Sequence, residues 1–243
     1  MSGFRSQVSG VSPPLLKGGC PQGRGDSPTE QESVGANITV IKPDEIERRS
    51  FEIIQAELQR PLDPVLAPVI MRVIHTTADF DYVESLAFSE GAVEIAVAAL
   101  REGVQIVCDT NMVKAGVDKT RLRALGGEIH CFIQDEDVAA AAQQNGSTRA
   151  LAAVDKAAAM DKALIFAVGN APTALMRICE LKKAGLLAPV LVIGVPVGFV
   201  NVVESKEILM DSGIPYITAK GRKGGSNVAA AICNALLRLG IDS

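Results

Sequence analysis

Ala163-Leu-Ile-Phe-Ala-Val168, Pro189-Val-Leu-Val-Ile193 and Pro215-Tyr-Ile-Thr218 are the three runs that decide the fold. Each is short, apolar and continuous rather than alternating, the pattern of a strand buried on both faces of a parallel sheet. Each runs into a loop rich in Gly, Pro, Asn or Ser: Gly169-Asn-Ala-Pro-Thr173, Gly194-Val-Pro-Val-Gly198 and Gly221-Arg-Lys-Gly-Gly-Ser-Asn227. A helix-patterned segment follows every loop. In open parallel sheets a ligand sits beyond the carboxyl ends of the strands, so the three loops are expected to converge on one site.

Upstream, the same alternation extends back to Gly91. A helical stretch from Ala92 to Arg101 leads to Val104-Gln-Ile-Val-Cys108 and the turn Asp109-Thr-Asn-Met112. A short helix, a strand over 128–133 and Ala-rich helices over about 136–160 follow. The expected fold is α/β, a single doubly wound, mostly parallel sheet of about five strands with helices on both faces. Before it, Pro43-Asp-Glu-Ile-Glu47 reads as a helix start, with acidic residues facing the positive end of the macrodipole. Its apolar face is Ile46, Phe51, Ile54 and Leu58, and Ser50 falls near the middle as a small polar residue at a helix contact. A second helix is expected from about Asp63 to Ile74, ending in His75-Thr-Thr-Ala-Asp79. Residues 1–36 are about half Gly, Pro and Ser, with no helical or strand period. They read as a disordered extension to a domain over 37–243.

Composition narrows the chemistry. The 243 residues are 48% hydrophobic but only 4% aromatic, so Ala, Val, Leu and Ile must build the core. A formal net charge of −4 argues against a nucleic-acid partner, and Lys220, Arg222 and Lys223 form a local basic cluster on that acidic background. The five cysteines include no paired motif, and Cys108, Cys131, Cys179 and Cys233 read as small buried hydrophobes in a reducing compartment. With two histidines, a dedicated zinc site is not expected. The longest apolar run, Val190 to Val200, is too short to span a bilayer. A soluble, cytoplasmic protein with no membrane partner is expected.

The residues lack GxGxxG, GxxxxGK[ST] and GxSxG, so neither a nucleotide fingerprint nor a nucleophile elbow is present. What the loops offer is Gly-rich backbone before a helix N-terminus with Arg222 and Lys223 alongside, a constellation that binds carboxylates as readily as phosphates. His75, at a helix end, suits either a structural imidazole or a proton-transfer residue. His130, within Glu128-Ile-His-Cys-Phe132, reads as a satisfied structural histidine.

Arg72-Val-Ile-His75, Val107-Cys-Asp-Thr110, Thr148-Arg149, Gly169-Asn-Ala-Pro-Thr-Ala174, Gly194-Val-Pro-Val-Gly-Phe199 with Glu204-Ser-Lys206, and Gly221-Arg-Lys-Gly-Gly-Ser226 together resemble the precorrin-8X methylmutase family. The resemblance covers about residues 38–240. It implies an α/β/α homodimer of cobalamin biosynthesis that moves a methyl group from C-11 to C-12 of a corrin precursor. It places the catalytic histidine at His75, with Arg149 and Ser50 on the substrate. Asn170, Thr173, Gly198, Arg222, Lys223, Gly224 and Ser226, from the three loops, complete the expected substrate-binding set. An intramolecular methyl shift moves no electrons between molecules, so no cofactor and no protein-bound metal are expected. It requires a general acid and a means of holding a large polycarboxylate. The resemblance also suggests hand-over of product to the next corrin-pathway enzyme. A non-catalytic tetrapyrrole carrier is the alternative, and a generic nucleotide-binding protein is disfavoured by the missing phosphate templates.

Overall fold

The computed structural model describes residues 42–242, so the amino-terminal extension lies outside the described residues. In chain order these form α1 (Pro43–Glu57), α2 (Ala67–Thr77), α3 (Tyr82–Ser85), β1 (Leu86–Phe88), α4 (Ala92–Arg101), β2 (Gln105–Cys108), α5 (Asn111–Gly116), α6 (Lys119–Ala124), β3 (Ile129–His130), α7 (Glu136–Gln144), α8 (Arg149–Ala158), β4 (Leu164–Val168), α9 (Pro172–Lys183), β5 (Leu191–Gly194), α10 (Val202–Met210), β6 (Tyr216–Ala219) and α11 (Ser226–Asp242). The strand order is β1-β6-β5-β4-β2-β3. Four neighbouring pairs are parallel, with Val107 opposite both His130 and Phe166, Ala167 opposite Ile193 and Ile193 opposite Ile217.

Two expectations about strands need correction. The sheet has six strands rather than about five, because Leu86–Phe88 adds an antiparallel edge against β6, with Ala87 opposite Thr218. Three residues cannot carry a period of their own, and the strand exists through its ladder and a clasp beyond it. Ser89 N–H donates to Tyr216 O at 3.0 Å, and Tyr216 N–H donates to Ser89 Oγ at 2.9 Å. The expected strand over 128–133 shrinks to Ile129–His130 at the opposite edge. His130 is satisfied there: Nε2 lies 3.0 Å from Gln105 Oε1 and its ring stacks on Phe132.

Every residue of β2, β4 and β5 is buried, and the pleat divides their side chains between two cores. Ile165, Ala167, Leu191 and Ile193 face α2, α4 and α11, whereas Leu164, Phe166, Val168 and Val192 face α8, α9 and α10. Helix α11 is the central post of the first layer, with Val228, Ile232, Leu236 and Leu237 almost fully buried. Cys108, Cys179 and Cys233 are buried and Cys131 is half-buried, all as free thiols. Cys20 lies outside the described residues.

Helix α2 is displaced from its expected span. Asp63 caps a turn instead of opening the helix: its Oδ1 accepts Val65 N–H at 2.8 Å and its carbonyl accepts Ala67 N–H at 2.8 Å. The helix therefore starts at Ala67, buries Val69, Ile70, Val73 and Ile74, and stops where Ala78 turns left-handed at φ 53°. His75 consequently lies inside the last turn. In α1 the expected apolar face is only partly used, because Ile54 is buried but Ile46 is exposed. Among the described residues no helix is long and apolar enough to cross a membrane.

Candidate active site

The carboxyl ends of the parallel strands are tied to one another through backbone. Asp109 follows β2 directly and is buried. Its carboxylate accepts three N–H groups of the β4–α9 loop: Gly169 at 2.9 Å on Oδ1, and Asn170 at 2.8 Å and Ala171 at 2.7 Å on Oδ2. Burial pushes the Asp109 carboxyl up from the usual carboxylate range, while the three amides work to hold it ionised. These amides are thus already spent. The expectation that the 169–173 loop offers its backbone to substrate carboxylates is corrected for this stretch. Gly169 is required by close packing, since a Cβ there would fall 2.6 Å from Ser226 Cα at the start of α11. The Ser226 hydroxyl lies 2.9 Å from Thr110 Oγ1, which also caps α5.

The β5 and β6 loops are joined in the same way. Gly225 N–H donates to Val195 O at 2.8 Å, and Gly198 N–H donates to Arg222 O at 3.3 Å. Gly224, at φ 154°, is pressed so close that a Cβ would clash with Val195 O. Beneath the turn lies Lys206 of α10, 1% exposed, whose ammonium donates to Gly221 O at 2.9 Å and Lys223 O at 2.8 Å. Burial lowers its pKa to about 8. Above the turn, the Arg222 guanidinium is exposed and lies 5.4 Å from the centre of the exposed Phe199 ring.

The last turn of α2 reaches this edge from the side. Lys223 Nζ lies 2.6 Å from both Asp79 and Asp81, just past the end of α2, and Lys220 N–H donates to Ser85 O at 2.7 Å. The two carboxylates hold the Lys223 ammonium well above its ordinary range, and Lys223 in turn lowers Asp79. Lys223 is therefore not the free cation that the sequence suggested, and its immediate surroundings carry net negative charge.

His75 is exposed on that turn, with its ring stacked on Phe51 of α1 at 5.2 Å between centroids. Phe51 is backed by the Arg72 guanidinium at 4.8 Å. Arg72 pairs with Glu47, which also accepts from Arg238 of α11 at 2.9 Å, so α1, α2 and α11 share one ion cluster. Burial works to raise Glu47, but Arg238 and Arg72 prevail and hold it low. The imidazole nitrogens make no hydrogen bond among the described residues. Ser50 adjoins Phe51, but its hydroxyl donates to Ile46 O in its own helix at 2.9 Å.

On the far side, Thr148 caps α8 and its Oγ1 lies 3.0 Å from Thr173 Oγ1 at the start of α9. That contact sets Arg149, the first residue of α8, beside the β4 loop with its side chain exposed and unpaired among the described residues. Asn170 is exposed at the same loop. Thus Asn170, Thr173, Gly198, Arg222, Gly224 and Ser226 lie on loops tied together at the carboxyl ends of the strands, with Arg149 beside the β4 loop. His75 is carried by the helix whose end meets Lys223, and no hydrogen bond joins Ser50 to these loops among the described residues. Among the described residues, no group of three or more His, Cys, Asp or Glu is placed to hold a metal ion.

Asp109, Lys206, Asp79 and Asp81 carry the edge, and sequence reasoning gave them no role. A signal existed for Lys206, which shares the buried stripe of α10 with Val202, Ser205 and Leu209 at helical spacing. For Asp109 the signal was an acid placed directly after the apolar run Ile106-Val-Cys108, at the end of a fully buried strand.

The precorrin-8X methylmutase family model matches residues 45–239. The cobalt-precorrin-8 methylmutase of Salmonella typhimurium is 48% identical over 207 residues, 82% of this chain and 96% of that protein. The precorrin-8X methylmutase of Pseudomonas aeruginosa is 42% identical over 194 residues, 79% of this chain and 93% of that protein. The crystal structure of the Thermus thermophilus precorrin-8X methylmutase superposes with a TM-score of 0.75 at 40% identity, covering 82% of this chain and 98% of that one. The match spans the sheet, the tied loops and the helix carrying His75, and the chain belongs to the precorrin-8X methylmutase family.

Proposed function

We propose that this protein is an isomerase of cobalamin biosynthesis that moves the C-11 methyl of precorrin-8X, or of its cobalt-containing counterpart, to C-12. The observation that carries the reading is His75, held by a stack on Phe51 at the strand edge with both ring nitrogens unpartnered among the described residues. In this reading His75 donates a proton to the macrocycle, the methyl group migrates within the same molecule, and the proton returns. Electrons balance without a co-reactant. Arg149 and Arg222 hold substrate carboxylates at two ends of the edge through charge-assisted hydrogen bonds, and Ser50, Asn170, Thr173 and Ser226 line the floor between them. Gly198 and Gly224 let the loop backbone come close. The protein works as a homodimer in the cytoplasm and hands its product to the next enzyme of the corrin pathway. The exposed Ile46, Ile53, Phe199 and Val200 favour self-association, which sedimentation equilibrium would test.

The deciding experiment is incubation of purified protein with precorrin-8X and, separately, with its cobalt-bound form, following the absorption spectrum. A spectral shift to the conjugated product is expected with at least one. Tight binding with an unchanged spectrum would establish the carrier reading instead, and no binding to either would remove both.

The pairing of Lys223 with two carboxylates makes a further prediction. One ammonium facing Asp79 and Asp81 leaves a local charge of about −1, opposed to an anionic ligand. Lys223→Ala should weaken binding of the corrinoid product, whereas Asp81→Asn should tighten it, with both differences shrinking as salt is added. Titration calorimetry at two ionic strengths measures this. Equal affinities in native protein and both variants would place the cluster outside the binding edge.

A further inference from the structure

Lys206 is an unusual use of a lysine. It occupies a position on the inner stripe of α10 that an apolar residue would fill, it is 1% exposed, and it forms no ion pair among the described residues. Burying an ammonium without a counter-ion costs several kcal/mol unless its donors are well satisfied. Its two acceptors are not scattered. They are the carbonyls of Gly221 and Lys223, which flank Arg222, and the carbonyl between them, Arg222 O, accepts Gly198 N–H from the neighbouring loop. All three carbonyls of the turn are therefore held from the protein side. The turn has no apolar anchor of its own, because Gly221 and Arg222 are exposed and Lys223 is directed to Asp79 and Asp81.

We propose that Lys206 is a positioning residue for substrate: its buried ammonium clamps Gly221 and Lys223 so that the Arg222 guanidinium stands out from the strand edge to meet a substrate carboxylate. This rests on reading that edge as the site of a polycarboxylate macrocycle. The clamp explains why the helix tolerates a charge on its inner face. A methionine could fill the stripe, but it would leave two carbonyls without donors and the turn free to rotate Arg222 away.

The test is a double-mutant cycle on equilibrium affinity for hydrogenobyrinic acid, the metal-free product of the proposed methyl shift, using the full chain and checking each variant by circular dichroism and melting. Arg222→Ala is expected to weaken binding about tenfold or more, as for loss of one charge-assisted hydrogen bond. Lys206→Met should weaken it by at least as much. The double variant should bind no worse than Lys206→Met alone, because the clamp acts through Arg222. In contrast, Lys206→Met combined with Arg149→Ala should lose the sum of the two single effects, since Arg149 is set by α8. If Lys206→Met does not fold, Lys206→Gln, which keeps an N–H donor for a carbonyl, carries the same two cycles. Additive losses for Lys206 and Arg222 would overturn the clamp while leaving the site reading intact. Native affinity in Arg222→Ala would overturn the reading of the turn as a carboxylate site, and the clamp with it.

Discussion

His75→Asn should lower the single-turnover rate of methyl migration by about 10²–10⁴-fold, the usual worth of a positioned general acid. The fold should survive, because the imidazole is exposed and its described contact is the face of Phe51. Asparagine keeps a polar, planar group of similar reach but supplies no proton at neutral pH. Affinity for product should change little, since the cations proposed to hold carboxylates are carried by α8 and by the turn after β6. Rapid-mixing absorbance measures the rate, and titration with product measures the affinity. A normal rate, or a protein that fails to fold, would restore a purely structural role for the helix end.

The second large effect is expected at Asp109, and it is one of stability. Asp109→Asn keeps the shape but turns a donor toward amides that are themselves donors. On whichever side the amide nitrogen falls, at least one of the Gly169, Asn170 and Ala171 N–H groups loses its acceptor. The charge that strengthened the remaining bonds is lost as well. Charge-assisted hydrogen bonds are worth about 1.5–3 kcal/mol each, and a stranded buried donor costs about 1–3 kcal/mol. A total of about 3–5 kcal/mol would lower the melting temperature by roughly 10 °C for a domain of this size. Differential scanning calorimetry measures it, and a shift of under 2 °C, about half a kcal/mol, would show that the loop is held by packing instead.

How far the sequence reaches into this structure depends on the range of the interaction. Leu164–Val168 and Leu191–Gly194 are legible because burial on both faces demands unbroken apolar runs, and that demand is local. Leu86–Phe88 is not, because its strand character is supplied by β6, far along the chain. Helix α2 lies three to four residues beyond its expected span, since Asp63 at its start and Ala78 at its end act through backbone geometry that residue type only weakly signals. The same division runs through the site. Glycines and cations announce the loops, whereas what holds those loops is long-range: Asp109 with 169–171, Lys206 with 221 and 223, Lys223 with 79 and 81. Each pair joins residues that no period relates. A lysine or aspartate reads the same in sequence whether it faces substrate or its own backbone.

Helix α1 carries a consequence for the energetics of binding. Of its described apolar side chains Ile54 alone is buried and Phe51 partly covered, with Leu58 partly covered just past its end, so packing contributes only a few times the 1.5–3 kcal/mol of one core side chain. Against this stands the ordering of some fifteen residues at about 1–2 kcal/mol each, which intrahelical bonds only partly offset. Such a helix detaches locally at far lower free energy than the α11 post, so its amides should exchange with deuterium orders of magnitude sooner. Each detachment removes Phe51 from behind His75 and carries Ser50 away. If, as proposed, the macrocycle uses both, it binds only the docked fraction of molecules, and its apparent dissociation constant is raised by the reciprocal of that fraction. Binding in turn closes the helix and protects its amides, so occupancy of the site can be read from the exchange rate of a helix at the margin of the fold.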